Sequence, residues 1–342
     1  MKVMRINEPG ISEVVEREMP TCGEAEVLLR VRRVGYCGSD LNTFRGGNPL
    51  VTYPRVPGHE LAAEVVEVGP AVPDGIGVGE RVTVFPYTEC GTCSACLAGR
   101  PNCCKFNQTL GVQRDGGLAE YLVVPWEAVV KAEPLGLSGL ALIEPLAVGF
   151  HAVERGRVTP ADTVCVFGCG MIGLGAIAGA ARLHNARVIA VDLSDAKLEL
   201  AQAAGATYAI NATNEGLHQE LEELTGGHGP DVMIEAVGLP ETFRSCVEEV
   251  KFAGRVVYIG YAKVPVEYDT KTFILKEIDI MGSRNATRED FGRVAEVLRA
   301  GTLPVSRIIT STVSLEAAPG ALAEWARMPQ ASTKIHVDLE TQ

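Results

Sequence analysis

No apolar run in this chain approaches the roughly 18 residues that cross a membrane. The longest weakly polar stretch, Val164–Ala181, is broken by glycines. The opening residues, MKVMRINEPG, contain no apolar segment of the kind that directs secretion. Positive charge is also short: 31 lysines and arginines stand against 43 aspartates and glutamates, a formal net charge of −12. That sign argues against nucleic acid or anionic membrane as a partner. Internal repeats and low-complexity linkers are absent as well. The expectation is a cytoplasmic protein acting on a small molecule.

What is present begins with cysteine. Of the ten cysteines, Cys90, Cys93, Cys96, Cys103 and Cys104 crowd into fifteen residues. In a long chain without secretion signals, such clustering points to metal rather than disulfides. At 342 residues, 46% hydrophobic and 22% charged, the chain is long enough for two domains with separate cores.

Two textures divide it. Residues 1 to about 149 read as mostly β, with runs at Glu26–Val34, Leu61–Val68, Arg81–Pro86 and Ala119–Val124 between glycine and proline turns. From Thr163 strands alternate with helices. Strands are predicted at 163–167, 187–191, 207–210, 231–237, 255–260 and 278–282, with helices at 171–184, 194–204, 215–225 and 240–252. Six strands with crossover helices make an α/β doubly wound parallel sheet. The tail offers helices at 288–299 and 315–328 and strands near 307–313 and 333–338.

The segment Thr163–Asp192 carries the clearest motif. A short buried-type strand leads into Gly168, Gly170 and Gly173, spaced G-x-G-x-x-G, and then a small-residue helix. Gly168 permits a tight turn, Gly170 lets backbone N–H groups approach a pyrophosphate, and Gly173 allows close helix–strand packing. Met171 and Ile172 open the helix, whose positive end suits the diphosphate. Asp192, nineteen residues beyond Gly173, would accept hydrogen bonds from the adenosine ribose and repel a 2′-phosphate, favouring NAD. Lys197 could support that ribose, or simply be an exposed helix lysine.

Two groups of metal-binding residues stand out. Cys90, Cys93, Cys96 and Cys104 supply four thiolates, a closed tetrahedral shell for structural zinc. Cys103 competes with Cys104 on spacing, and an iron–sulfur cluster is the rival occupant. Cys37, His59, Glu60 and Glu144 are scattered, yet each has a telling context. Cys37 lies between glycine-rich residues just after a strand, His59-Glu60 begins another strand, and Glu144-Pro145 follows a small apolar helix. One thiolate, one imidazole and one carboxylate are the ligand set of an open, catalytic zinc site.

These motifs, with Gly35–Asp40, Gly58-His59-Glu60 and Asp115–Tyr121, resemble the zinc-containing medium-chain dehydrogenase/reductase superfamily over nearly the whole chain. The resemblance implies a GroES-like β-rich catalytic domain from both ends, 1–149 plus 290–342. The Rossmann NAD-binding domain, 150–289, is inserted between them. The run Glu144–Gly149 is similar to the polyol (sorbitol) dehydrogenase branch, where either Glu60 or Glu144 would complete the zinc shell. Tyr53–Glu60 and Met281–Thr287 resemble sugar-acid members acting at C5 of L-galactonate or L-gulonate.

The implied enzyme uses NAD and two zinc ions per subunit, one catalytic and one structural, and assembles as a homodimer or homotetramer. Zinc would act as a Lewis acid on a substrate hydroxyl, and hydride would pass to the nicotinamide. Ser39 occupies the relay position next to the metal. Asn42 stands where relatives often have histidine, and cannot take up a proton near neutrality. A sugar-acid carboxylate needs a cation, for which Arg284 comes first and Arg114, Arg55 and Arg45 follow. The alternatives are a sorbitol- or xylitol-type enzyme, an L-threonine dehydrogenase, and a non-catalytic zinc- and nucleotide-binding regulatory protein.

Overall fold

Alternating apolar residues make the first part of the chain a series of strands with an aliphatic inner face. The structure, a computed structural model that describes residues 1–340, has β1 at Lys2–Glu8, β2 at Ile11–Glu16, β3 at Glu26–Gly35, β4 at Glu60–Val68, β5 at Arg81–Val84, β6 at Tyr121–Pro125 and β7 at Val129–Lys131. Next come β8 at Thr163–Phe167, β9 at Arg187–Asp192, β10 at Tyr208–Asn211, β11 at Val232–Glu235, β12 at Arg255–Tyr258 and β13 at Asp279–Gly282. The last two are β14 at Ile309–Ser314 and β15 at Lys334–Asp338. The chain divides into two units, Met1–Glu144 with Val305–Gln342, and Pro145–Pro304.

In the first unit β1 and β2 form a hairpin, and a larger GroES-like sheet runs β14-β15-β3-β4-β5-β7, with β6 also pairing with β3. Only the β14–β15 pair is parallel among these. Leu29, Val34, Leu61, Val82, Val84, Ile335 and Val337 are buried in its core. The register sets Gly35 between Glu60 on one side and His336 on the other. The ends of β3 and β4 and the middle of β15 therefore lie side by side, and the metal-ligating residues start from there.

The second unit holds a six-stranded, fully parallel sheet in the order β10-β9-β8-β11-β12-β13. This is the Rossmann arrangement, whose order reverses between β8 and β11 and leaves a crevice at the strand ends. All five residues of β8 are buried, as expected of a strand covered on both faces. Gly149 and Gly175 let two helices meet at backbone contact: a Cβ at Gly149 would lie 2.3 Å from the Ala176 nitrogen.

The expected strands and helices appear, with differences at ends. β11 and β12 stop at Glu235 and Tyr258 rather than 237 and 260. The chain turns at Gly238, in the left-handed region at φ +87. The following helix ends at Glu249, not 252, because Lys276 Nζ donates to the Val247 and Val250 carbonyls at 3.4 and 2.8 Å and caps it. Glu144-Pro145 does not follow a short helix but lies inside a 19-residue one, Leu137–Arg155. Its burial outweighs the hydrogen bond lost at Pro145. By length and composition this helix could cross a membrane, yet 78% of its apolar window is buried in the protein. The β1–β2 hairpin, which turns at Pro9-Gly10, and the three-residue β7 were not among the expected strands.

Candidate active site

β3 ends at Gly35, and two residues later Cys37 caps the short helix Gly38–Phe44. Asp40, fully buried, holds this corner together. One of its oxygens accepts from the Cys37 N–H at 2.8 Å, the other from the Gly58 N–H at 3.3 Å. A single carboxylate thus fixes the backbone at both ligand-bearing segments. Gly58 sits at φ +100, a conformation that aims His59 and Glu60 inward as β4 begins.

Ligand atoms of Cys37, His59 and Glu60 all lie within 4.8 Å of one another. His59 is 5% exposed and its Nδ1 has no partner. Burial pulls the imidazole pKa down, but Cys37, Glu144 and Asp40 together carry it well above the ordinary value. Such a concentration of donors suits a divalent cation. Glu144 lies outside this triad but close enough to act electrostatically on His59 and Glu60. Its carboxylate accepts from the Tyr87 hydroxyl.

Glu60 is held in a way that its sequence context did not suggest. Lys334 of β15, 3% exposed, donates to Glu60 Oε1 at 2.7 Å, to Oε2, and to the Tyr36 carbonyl at 2.9 Å. Burial pushes the Glu60 carboxyl up, while the Lys334 ammonium draws it back. Room for the pair exists because position 35 is glycine: a Cβ there would lie 2.3 Å from Glu60 Oε2. Lys334, Tyr87 and the bridging role of Asp40 were missed from sequence. None of the three left a clear local signal: Lys334 opens a strand, KIHVD, that also carries His336 and Asp338. Ser39 Oγ is buried beside Cys37 in the chain and has no hydrogen-bond partner.

The second cluster also assembles. Sulfurs of Cys90, Cys93, Cys96 and Cys104 lie within 4.8 Å of one another, with Cys93 to Cys96 at 3.6 Å and Cys93 to Cys104 at 3.9 Å. Disulfide sulfurs lie about 2.05 Å apart, whereas a tetrahedral zinc with 2.3 Å bonds separates its sulfurs by about 3.8 Å. The four thiols therefore fit structural zinc. Hydrogen bonds from Thr92 lower the Cys90 pKa toward the thiolate that a metal requires. Cys103 points elsewhere, with Arg100 Nη2 3.6 Å from its sulfur, which decides between it and Cys104.

In the second unit, Gly168 turns at φ +91 and Gly170 caps the helix Met171–Ala178. A Cβ at Gly173 would lie 1.7 Å from the Gly168 carbonyl oxygen, so only glycine fits. Met171 is buried and Ile172 half-buried as the helix opens. Asp192 accepts from the Cys169 N–H at 2.8 Å and from Leu193 and Ser194 at 2.8 and 3.1 Å. Its carboxylate is thereby fixed against the glycine turn at the end of β9. Lys197 is half-buried and within electrostatic reach of Cys169. Arg284 is exposed after β13, Arg55 pairs with Asp115 at 3.0 Å, and Arg45 bonds the Ala326 carbonyl.

The zinc-binding dehydrogenase family matches residues 172–300, and the alcohol dehydrogenase GroES-like domain matches residues 23–134. L-Galactonate-5-dehydrogenase of Escherichia coli (strain K12) is 35% identical over 310 residues, covering 91% of this chain and 91% of that protein. Sorbitol dehydrogenase of Bacillus subtilis (strain 168) is 33% identical, covering 89% and 87%. The structure of the alcohol dehydrogenase rspB from E. coli CFT073, complexed with NADH, superposes with a TM-score of 0.90 at 33% identity, covering 99% of each chain. With both domains matched and their metal and glycine motifs folded as described, the chain belongs to the zinc-type alcohol dehydrogenases of the medium-chain superfamily, in the polyol and sugar-acid branch.

Proposed function

We propose that this protein oxidises a secondary alcohol of a sugar acid with NAD, the best fit being the C5 hydroxyl of L-gulonate or L-galactonate, giving the 5-keto acid. The observation that carries the reading is the convergence of Cys37, His59 and Glu60 on one point, with Ser39 Oγ buried and unspent. Three protein ligands leave a fourth position open, which separates a catalytic zinc site from a structural one. Cys37, His59 and Glu60 would hold a zinc ion that would supply Lewis-acid chemistry to the hydroxyl, with a bound NAD as the hydride acceptor. Similarity to L-galactonate-5-dehydrogenase supports the sugar-acid class. Similarity to sorbitol dehydrogenase favours the second reading, a neutral polyol. Zinc-loaded protein should form NADH fastest with one aldonate in a panel of L-gulonate, L-galactonate, D-sorbitol, xylitol and L-threonine. A faster polyol would replace the substrate class, and silence on all would return the protein to a non-catalytic role.

The chain's own residues handle the proton and the choice of cofactor. Ser39 can accept the hydrogen bond of the substrate hydroxyl and pass the proton on, whereas the amide of Asn42 can only orient water. Ser39→Ala should lower kcat about 100-fold and Asn42→Ala far less; equal losses would remove Ser39 from the relay. Asp192 should exclude NADP by repelling its 2′-phosphate. Asp192→Ala is expected to lower kcat/KM for NAD at least ~10-fold while raising it for NADP; no change in the ratio would mean that another group selects the cofactor.

A further inference from the structure

The loop 111–117 grips the segment that carries His59. Gly117 N–H donates to the Gly58 carbonyl at 2.8 Å. Cβ atoms at Gly111 and Gly116 would lie 2.6 and 2.4 Å from Gly58 backbone atoms. Arg114 projects from this loop. Its Nη2 donates to the Pro86 carbonyl at 3.3 Å, and the next residue, Tyr87, reaches Glu144 with its hydroxyl. The guanidinium thus ties the loop that grips Gly58 to the segment whose Tyr87 holds Glu144.

Its charge is uncompensated. No acid lies within ion-pair distance of Arg114 among the described residues, and its Nε is buried without a partner. The neighbouring Asp115 is occupied by Arg17 at 2.8 Å and Arg55 at 3.0 Å. Burial alone acts on Arg114, depressing its pKa with no carboxylate to offset it. A half-buried, unpaired cation costs folding stability, and such groups cluster at ligand sites. The guanidinium fork is shaped for a carboxylate.

We infer that Arg114 recognises the carboxylate of an acidic substrate, an inference that rests on the sugar-acid reading and supplies its anion site. Four carbon–carbon bonds of about 1.5 Å separate C1 from C5 of an aldonate, a span of about 5 Å. The anion must then be met by a side chain near the triad rather than a remote one. Of the arginines weighed for this role, Arg55 is spent on Asp115 and Arg45 is exposed, whereas Arg114 is half-buried on the loop that grips Gly58.

The test is steady-state kinetics of the zinc-loaded protein with L-galactonate and with galactitol, its neutral counterpart. Arg114→Met should raise KM for L-galactonate at least ~30-fold, leave galactitol within about 2-fold, and leave KM for NAD unchanged. Arg114→Lys, which keeps the charge and guards against a folding defect, should fall between wild type and Arg114→Met. An equal shift for both substrates, a shift in KM for NAD instead, or a selective shift in Arg284→Met would overturn the inference. Failure of the sugar-acid reading is visible separately: wild type would then turn over galactitol better than L-galactonate, and both ideas would fall.

Discussion

Replacing Lys334 by methionine is expected to destabilise the first unit by about 3–5 kcal/mol, the cost of stranding one partner of a buried ion pair. Lys334 and Glu60 are 3% and 0% exposed, and Lys334 also satisfies the Tyr36 carbonyl. Without the ammonium, the Glu60 carboxylate would have to ionise unpaired or take up a proton in the core. The double variant Lys334→Met/Glu60→Gln should recover most of the loss, because neither charge of the pair remains. Urea unfolding followed by tryptophan fluorescence reads this unit directly, since Trp126 and Trp325 both belong to it. If Lys334→Met unfolds within about 1 kcal/mol of wild type, water reaches Glu60 and the pair is not a stabilising element.

The second large effect is expected from His59→Ala. Loss of the imidazole removes one of three converging donors. Bound zinc should fall from two ions per chain to one, the four-cysteine cluster keeping its own. Turnover should drop at least ~10³-fold, since the Lewis acid would be absent or displaced. Zinc content and NADH formation must be measured on the same sample. Full turnover with one zinc retained would mean that the triad is not the reaction centre. Loss of both ions would mean that His59 supports the fold rather than the chemistry.

Much of this was legible beforehand, for physical reasons that differ by region. The parallel sheet announced itself because strands covered on both faces read as continuous apolar runs, as Thr163–Phe167 does. The four-cysteine cluster was local, so its spacing predicted a closed thiolate shell, and only the choice between Cys103 and Cys104 waited for the structure. The triad was scattered over Cys37 to Glu60, and the local context of each residue with the chemistry of the ligand set drew it together, leaving Glu60 and Glu144 as alternates. Nothing local says that Gly35 leaves space for a carboxylate, or that Lys334, 274 positions after Glu60, fills it. Such pairings depend on sheet register, which short irregular strands of one β-rich unit do not encode in their own sequence. Asp40 was hidden for a similar reason: its two hydrogen bonds join segments eighteen residues apart in the chain.

The four-cysteine lobe has almost no interior. From Thr88 to Phe106 only Asn102 and Cys104 are buried, and Leu97 and Phe106 remain 75% and 61% exposed. A segment with so little apolar burial would draw its order from a metal held by the four cysteines. Stripped of zinc, this lobe would be the first part of the chain open to trypsin, with Arg100 and Lys105 as cleavage points. The enzyme's lifetime would follow zinc availability before its folded core was ever challenged.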